Sequence, residues 1–450
     1  MFQKTSGIMN RIRFLSYRKN IFKSINVNKN VRLLHCKGIS DQFESLAVFP
    51  EWQIQSAGNL RRVCEVVEST VGKESLMHTA ALIRLAEVYR NQGLYDDALG
   101  VLNFVNTTNE ENGGKLYASI TRAGIHLRQN KVDEALIYSK IAVDLCEKQN
   151  QDTMDVSAFS HCYGAHGLAL LCAEDYSEAT EFLQMAARWA EGPVDTLAAL
   201  GNLGALHWKQ CKLPENKAVS GGNAPIELSS ESESHLTEAT AYWEEALQSL
   251  QSHATSNMAT NLCGPGSQDE VRTIPTKGDE NENNNETKDT PLEVQLAANP
   301  ELAALYAHTL CNLSLAYNLR GQQEQCSDHL SSALKALKPQ EDAQHNQAQD
   351  AGFHTSAALG RVLGLTAAVH ASGLQAVSAE GLYRSSLDLL RPLTNDIRYK
   401  QELSKVLITY ADLVQKWEKR EHEADQLRLE EKELGSKKLS TIGTETFIVF

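Results

Sequence analysis

Between Leu82 and Val105 the chain sets large apolar and small residues at helical spacing, breaks off, and starts again. This interrupted period constrains the fold more than any other feature. Leu82, Leu85 and Tyr89 recur three and four residues apart with Ala86 beside them, Asn91-Gln92-Gly93 ends the run, and Ala98, Leu102 and Val105 form a second stripe. Two short helices, each with one apolar face and joined by a glycine turn, make a hairpin, and small Ala86 and Ala98 let its two axes approach closely.

In the 34-residue frame of the tetratricopeptide repeat (TPR), Leu82, Leu85, Ala86, Tyr89, Gly93, Tyr95, Ala98, Leu102 and Val105 fall on positions 4, 7, 8, 11, 15, 17, 20, 24 and 27. The segment resembles that family in all nine. The same frame locates a second repeat near 116–145 (Ala123, Asn130, Ala135, Ala142) and a third near 161–189 (Tyr163, Gly167, Leu170, Tyr176, Ala179, Leu183, Ala186). The fourth is split between Leu200, Leu203, Gly204 and His207 on one side and Ala239, Trp243 and Ala246 on the other. A fifth carries Leu310, Leu313, Tyr317, Gly321, Cys326, Leu330 and Ala333, and a sixth, with a loose turn around Gly373, carries Leu363, Ala367, Ala379 and Tyr383. Ala98 to Ala135 is 37 residues and Ala135 to Ala179 is 44, so the period is long and irregular, similar to the lengthened repeats of kinesin light chains. The resemblance implies an all-α solenoid of about six hairpins in a right-handed superhelix. An entry helix within 43–70 caps one end, and a charged terminal helical region, about 396–434, caps the other, where an outer face has no neighbour to cover it.

Composition punctuates this array. Residues 212–235 are rich in Gly, Pro, Ser and Glu, and 251–299 contains GDENENNNETKDT. Neither holds enough apolar surface to fold alone, so both read as disordered: the first as an insert within repeats 1–4 (43–250), the second as a linker dividing them from repeats 5–6 and the terminal capping hairpin (300–434). Lengthening a loop costs only ~0.6 kcal/mol per doubling, so the split hairpin survives its insert. Residues 1–40 carry nine basic residues and no acidic one before Asp41. Such a segment resembles a mitochondrial presequence, with Val31-Arg32-Leu33-Leu34 as a processing neighbourhood; a basic tail or a nucleic-acid-binding arm would have the same composition. Without those nine, 34 basic residues remain against 57 acidic ones, a net charge near −23 compared with −14 for the whole chain. That acidity argues against nucleic acid as the main partner.

Catalytic and metal signatures are missing from the sequence: there is no phosphate loop, paired-Cys zinc motif, HExxH or GxSxG. His161, Cys162 and His166 cluster, but a five-residue step puts the two imidazoles ~140° apart on a helix. Nine cysteines, an odd number and mostly at small helical positions, read as buried free thiols. No cofactor, metal or catalytic residue is expected. No stretch approaches a membrane span, since Ala357 to Val377 is interrupted by Arg361, His370 and Ser372. The tail 435–450 ends on Thr446-Phe447-Ile448-Val449-Phe450, read as folded back or frayed, with strand addition to a partner the alternative.

By the resemblance, the first helix of each hairpin lines a concave groove. Its candidate partner-binding residues here are Arg84, Glu87, Arg90 and Asn91, then Thr121 and Arg128, then Asn202, Trp208 and Lys209, then His308, Asn312 and Asn318. Asn202 and Asn312 both occupy position 6, where an amide can donate to and accept from a bound peptide backbone. Ile83 and Glu87 stand where the family's carboxylate clamp for Hsp70 and Hsp90 tails has Lys and Asn, so that ligand mode is not expected. The functional expectation is a non-enzymatic scaffold that binds a protein segment in the groove and assists assembly of a mitochondrial complex, in the matrix or on the matrix face of the inner membrane. The alternatives are a cytoplasmic kinesin-light-chain-like cargo adaptor and an organelle RNA-associated helical-repeat protein.

Overall fold

The computed structural model describes residues 57–73, 75–105, 114–148, 156–211, 228–262, 291–344 and 352–435. Among them are sixteen α-helices and no strand. α1 (Ala57–Val71) is followed by the hairpins α2 (Leu76–Asn91) with α3 (Tyr95–Leu102), α4 (Gly114–Arg128) with α5 (Val132–Lys148), α6 (Val156–Cys172) with α7 (Tyr176–Trp189), and α8 (Gly192–Gln210) with α9 (Ser230–Leu262). After the short α10 (Pro291–Ala298) come α11 (Pro300–Leu319) with α12 (Gln323–Gln344), α13 (Gly352–Ser372) with α14 (Ala376–Leu390), and α15 (Ile397–Gln415) with α16 (Glu421–Leu434). Each hairpin packs on the next, and the first helices α2, α4, α6, α8, α11, α13 and α15 touch in succession as one inner layer. The described residues form an all-α solenoid of helical hairpins. α1 closes its first end by burying Leu60, Val63 and Val67 against Ala80, Ile83 and Tyr89.

The helices reach into both segments read from composition as inserts. α9 starts at Ser230 because Ser229 Oγ accepts from the Ser232 amide at 3.1 Å, and Glu231 and Glu233 supply negative charge to its first turn. A Ser/Glu run that looks like linker is therefore a cap on a helix N-terminus. The same helix runs on through Leu262, and α10 lies within 251–299, where Leu292 and Leu296 pack on Leu197, Leu250 and Leu302. The expected presequence, the remainder of the two inserts (212–227 and 263–290) and the apolar C-terminal tail lie outside the described residues.

Five hairpin turns share one geometry. Gly93, Asn130, Glu174, Gly321 and Leu374 have φ between 61° and 74°. The amides that follow them, at Leu94, Lys131, Asp175, Gln322 and Gln375, donate to Tyr89, His126, Leu170, Tyr317 and His370 at 2.9–3.0 Å. These are the six-to-one bonds that satisfy orphan carbonyls at a helix end. In the sixth repeat the left-handed position falls on Leu374 rather than Gly373, one residue later than the composition indicates. A leucine there carries a steric cost, and its side chain is 93% exposed and returns nothing in packing. Leu374→Gly is expected to raise stability by ~1 kcal/mol, read as a higher urea midpoint at unchanged slope.

Close approach inside the hairpins depends on residues without bulk. Trp243 of α9 is fully buried and its indole N–H donates to the Gly201 carbonyl at 3.1 Å. A Cβ on Gly204 would lie 2.6 Å from Trp243 Cδ1, and one on Gly167 2.8 Å from Leu183 Cγ. An indole held by a hydrogen bond cannot retreat as an aliphatic end can. Gly204→Ala is therefore expected to lower stability by about 1–3 kcal/mol in the same denaturation experiment.

Candidate functional site

The inner layer does not face an open channel. It closes on the first turns of α15, whose buried polar residues are the ones sequence reasoning passed over. Asp396 caps α15, accepting from the Arg398 amide at 2.9 Å. Its carboxylate also accepts from Arg398 Nε at 3.0 Å and Nη2 at 2.7 Å, and from the Tyr95 hydroxyl, 301 residues away in α3, at 3.2 Å. Asp396 is wholly buried and Ile397 joins the core formed by Leu127, Leu168 and Leu206. The start of α15 thus reaches the first hairpin through Asp396 and the apolar core of the second to fourth through Ile397.

Around it stand most of the residues expected to line a groove. Arg128 is buried, and its Nη1 donates to the Arg90 carbonyl and to Asn91 Oδ1, both at 3.5 Å. Arg90 Nε donates to Asn91 Oδ1 at 3.3 Å, and Arg84 pairs with Glu87 at 2.8 Å. On the other side Arg361 of α13, also buried, donates from Nη2 to Asn312 Oδ1 at 2.8 Å and from Nη1 to the His308 carbonyl at 3.4 Å. Its Nε lies 3.8 Å from Glu402 of α15. So Arg84, Glu87, Arg90, Asn91 and Arg128 form one polar group, and His308 and Asn312 a second organised by Arg361. The remaining candidates lie apart. Asn202 is buried on α8, and Trp208 packs on Trp243 with ring centroids 5.9 Å apart. Lys209 is half-buried one residue on, Thr121 bonds its own helix at Tyr117, and Asn318 accepts from Gln323 at 2.9 Å within its hairpin.

The electrostatics are those of cations crowded in a dry interior. Burial and the neighbouring Arg128 push the Arg90 guanidinium down to about 9. Burial, with Arg398 beside it, also lowers Arg128. Burial acts to raise the Asp396 carboxyl, but Arg398 and Arg128 outweigh it and hold the group below the usual carboxylate range. Arg361 was visible in the sequence only as a charge interrupting an apolar helix. Asp396 was visible only as the first residue of a terminal region. Across the interior guanidinium groups meet the carboxylates of Asp396 and Glu402, and the side-chain amides of Asn91 and Asn312 accept from Arg128 and Arg361.

His161 and His166 go to different partners, Asp195 at 3.1 Å and Ser139 at 2.9 Å, so they do not converge. Away from the interior, His207, His235 and Glu238 do converge, between α8 and α9. No described helix is long and apolar enough to cross a membrane. No family model matches the chain, and no curated protein matches its sequence. Among solved structures, the crystal structure of the P58(IPK) TPR domain matches with a TM-score of 0.20 at 8% identity, covering 93% of this chain and 99% of that one. At so low a score the likeness says nothing of this chain, whose all-α array of hairpins is shown by its own repeated turns and packing.

Removing the Asp396 charge leaves Arg398 and Arg128 buried without it. Asp396→Asn is expected to cost ~3–5 kcal/mol of stability in urea denaturation, and Arg398→Met on that background to restore part of it. Because the folded carboxyl is depressed, its contribution is complete above the unfolded value of about 4 and is lost as pH falls through the lower folded value. The gap between wild type and Asp396→Asn should therefore narrow below pH ~4.

Proposed function

We propose that the chain is a protein-interaction scaffold of mitochondria that binds a polypeptide segment along its inner helices and assists assembly or maintenance of a multi-protein complex. One observation carries this reading. The other first helices and α3 already hold a segment of this same chain, 396–402, through the Tyr95 hydroxyl on Asp396, Arg361 beside Glu402, and Ile397 in the apolar core. A partner segment that offers a carboxylate or a helix N-terminus would meet the same chemistry. Arg84, Lys209 and Asn318 are candidates on first helices that keep part of their surface exposed, and a second chain would contact them first. The mitochondrial part of the reading is supported by the acid-free, basic residues 1–40 attached to an otherwise acidic chain.

Two measurements test the two parts separately. N-terminal sequencing of the endogenous protein is expected to find an end near 31–41, and an intact Met1 on the organelle-free protein would return the reading to a cytoplasmic adaptor. A photo-crosslinking amino acid at Arg84, Lys209 or Asn318 is expected to capture a common protein in cells. If adducts arise only from exposed outer positions such as Ile137 and Leu429, the inner layer is not the binding face.

A further inference from the structure

Six of the seven hairpins are closed by short turns, and the fourth is not. In α8 the residue at the turn-bond position is His207, and Cys211, four residues on where the other turns are left-handed, has φ −68° and donates its amide to the His207 carbonyl at 3.0 Å. At the level where the other hairpins turn, three Lewis bases face one another. His207 Nδ1 lies 3.5 Å from His235 Nδ1 and 2.7 Å from Glu238 Oε2, and one ligand atom from each residue lies within 4.8 Å of the others. His235 and Glu238 are three apart in the first turns of α9 and share a face.

We propose that His207, His235 and Glu238 form a divalent transition-metal site, with zinc the expected occupant, that clips α8 to α9 at the root of the insert. Zinc takes imidazole nitrogen and carboxylate oxygen at about 2.0–2.2 Å in tetrahedral geometry, which sets ligand atoms roughly 3.3–3.5 Å apart. The two imidazole nitrogens already have that separation. The carboxylate must withdraw by about half an ångström, which its half-exposed side chain permits. The His207 ring is fixed in plane by stacking on Tyr242, with centroids 5.5 Å apart and 16° between planes. Three protein ligands, one half-exposed, leave a fourth position for water. Two imidazoles and a carboxylate favour zinc or copper over magnesium or calcium.

The repeats supply an internal control. The second hairpin has the same ring stack, His126 on Tyr138 at 5.4 Å, and Glu134 at the place of Glu238. There Lys131 stands at the place of His235, and its positive charge acts on His126. A lysine in that position repels a cation, and that hairpin is closed by a backbone turn instead. The fourth differs by one imidazole and by lacking the turn, the two differences a metal clip requires. The sequence predicted no metal because its ligands are separated by 28 positions and a linker-like segment.

Zinc sulfate titrated into the chelator-treated full chain is expected to bind one equivalent and to raise the thermal midpoint. Cobalt(II) in its place should give the visible bands of a four-coordinate ion. Since even outer-shell groups carry about 10–100-fold in metal affinity, His207→Ala or His235→Ala should each cost at least ~100-fold. His235→Lys, which copies the second hairpin, should abolish binding while circular dichroism stays that of wild type. His253→Ala, in the same helix but outside the cluster, should change nothing. Zinc binding that survives His235→Lys at unchanged affinity, or absence of any zinc-dependent shift in a folded wild-type chain, overturns the proposal.

Discussion

The carboxylate of Asp396 is the contact on which the arrangement of the two ends depends. Polar groups that must be hydrogen-bonded when buried meet there: the backbone amide and guanidinium of Arg398, and the hydroxyl of Tyr95 from the first hairpin. Stacked hairpins by themselves fix only neighbour-to-neighbour geometry, and an array of them can remain open. Here a polar contact spanning 301 residues joins the first hairpin to the last, and Ile397 adds an apolar one to the core of the second to fourth. The array is thereby converted from a chain of local contacts into a structure with a closed interior.

That closure changes the meaning of the inner face. In an open solenoid, Arg90, Arg128 and Asn312 would be solvated residues available to a ligand. In this one they are buried and engaged by their own chain, and their cationic excess is offset by Asp396 and Glu402. Buried ion pairs contribute little net stability relative to apolar replacements, yet breaking one is costly. Such a network therefore suits specificity of docking better than strength. It holds α15 in one register, because a slip would leave guanidinium groups without acceptors in a low-dielectric interior.

The fourth hairpin illustrates a different constraint. Where a turn is replaced by a long connection, something else must fix the two helices at their open end. Trp243 against Gly201 and Gly204 does so in the middle of the hairpin, and the His207, His235 and Glu238 cluster stands at its mouth. The repeat pattern is kept at the residues that pack and relaxed at those that turn.

The helical hairpins were legible in the sequence because their signal is local. Apolar stripes with period 3.6, small residues at the crossing points and turn residues such as Gly93, Asn130 and Gly321 act within about 35 residues of chain, and they located the hairpins from Leu82 through Tyr383. The candidate inner-face residues followed from the same frame. Which of them would be solvated did not, since that depends on where α15 lies, and no local pattern encodes a partner 301 positions away. The start of α9 was misread for a related reason: Ser and Glu are as suited to a helix cap as to a linker, and only the packing of Leu236 and Trp243 decides between them. Local spacing determined the repeats. Long-range charge pairing, which only the folded chain can bring together, decided how the repeats close and what their inner face holds.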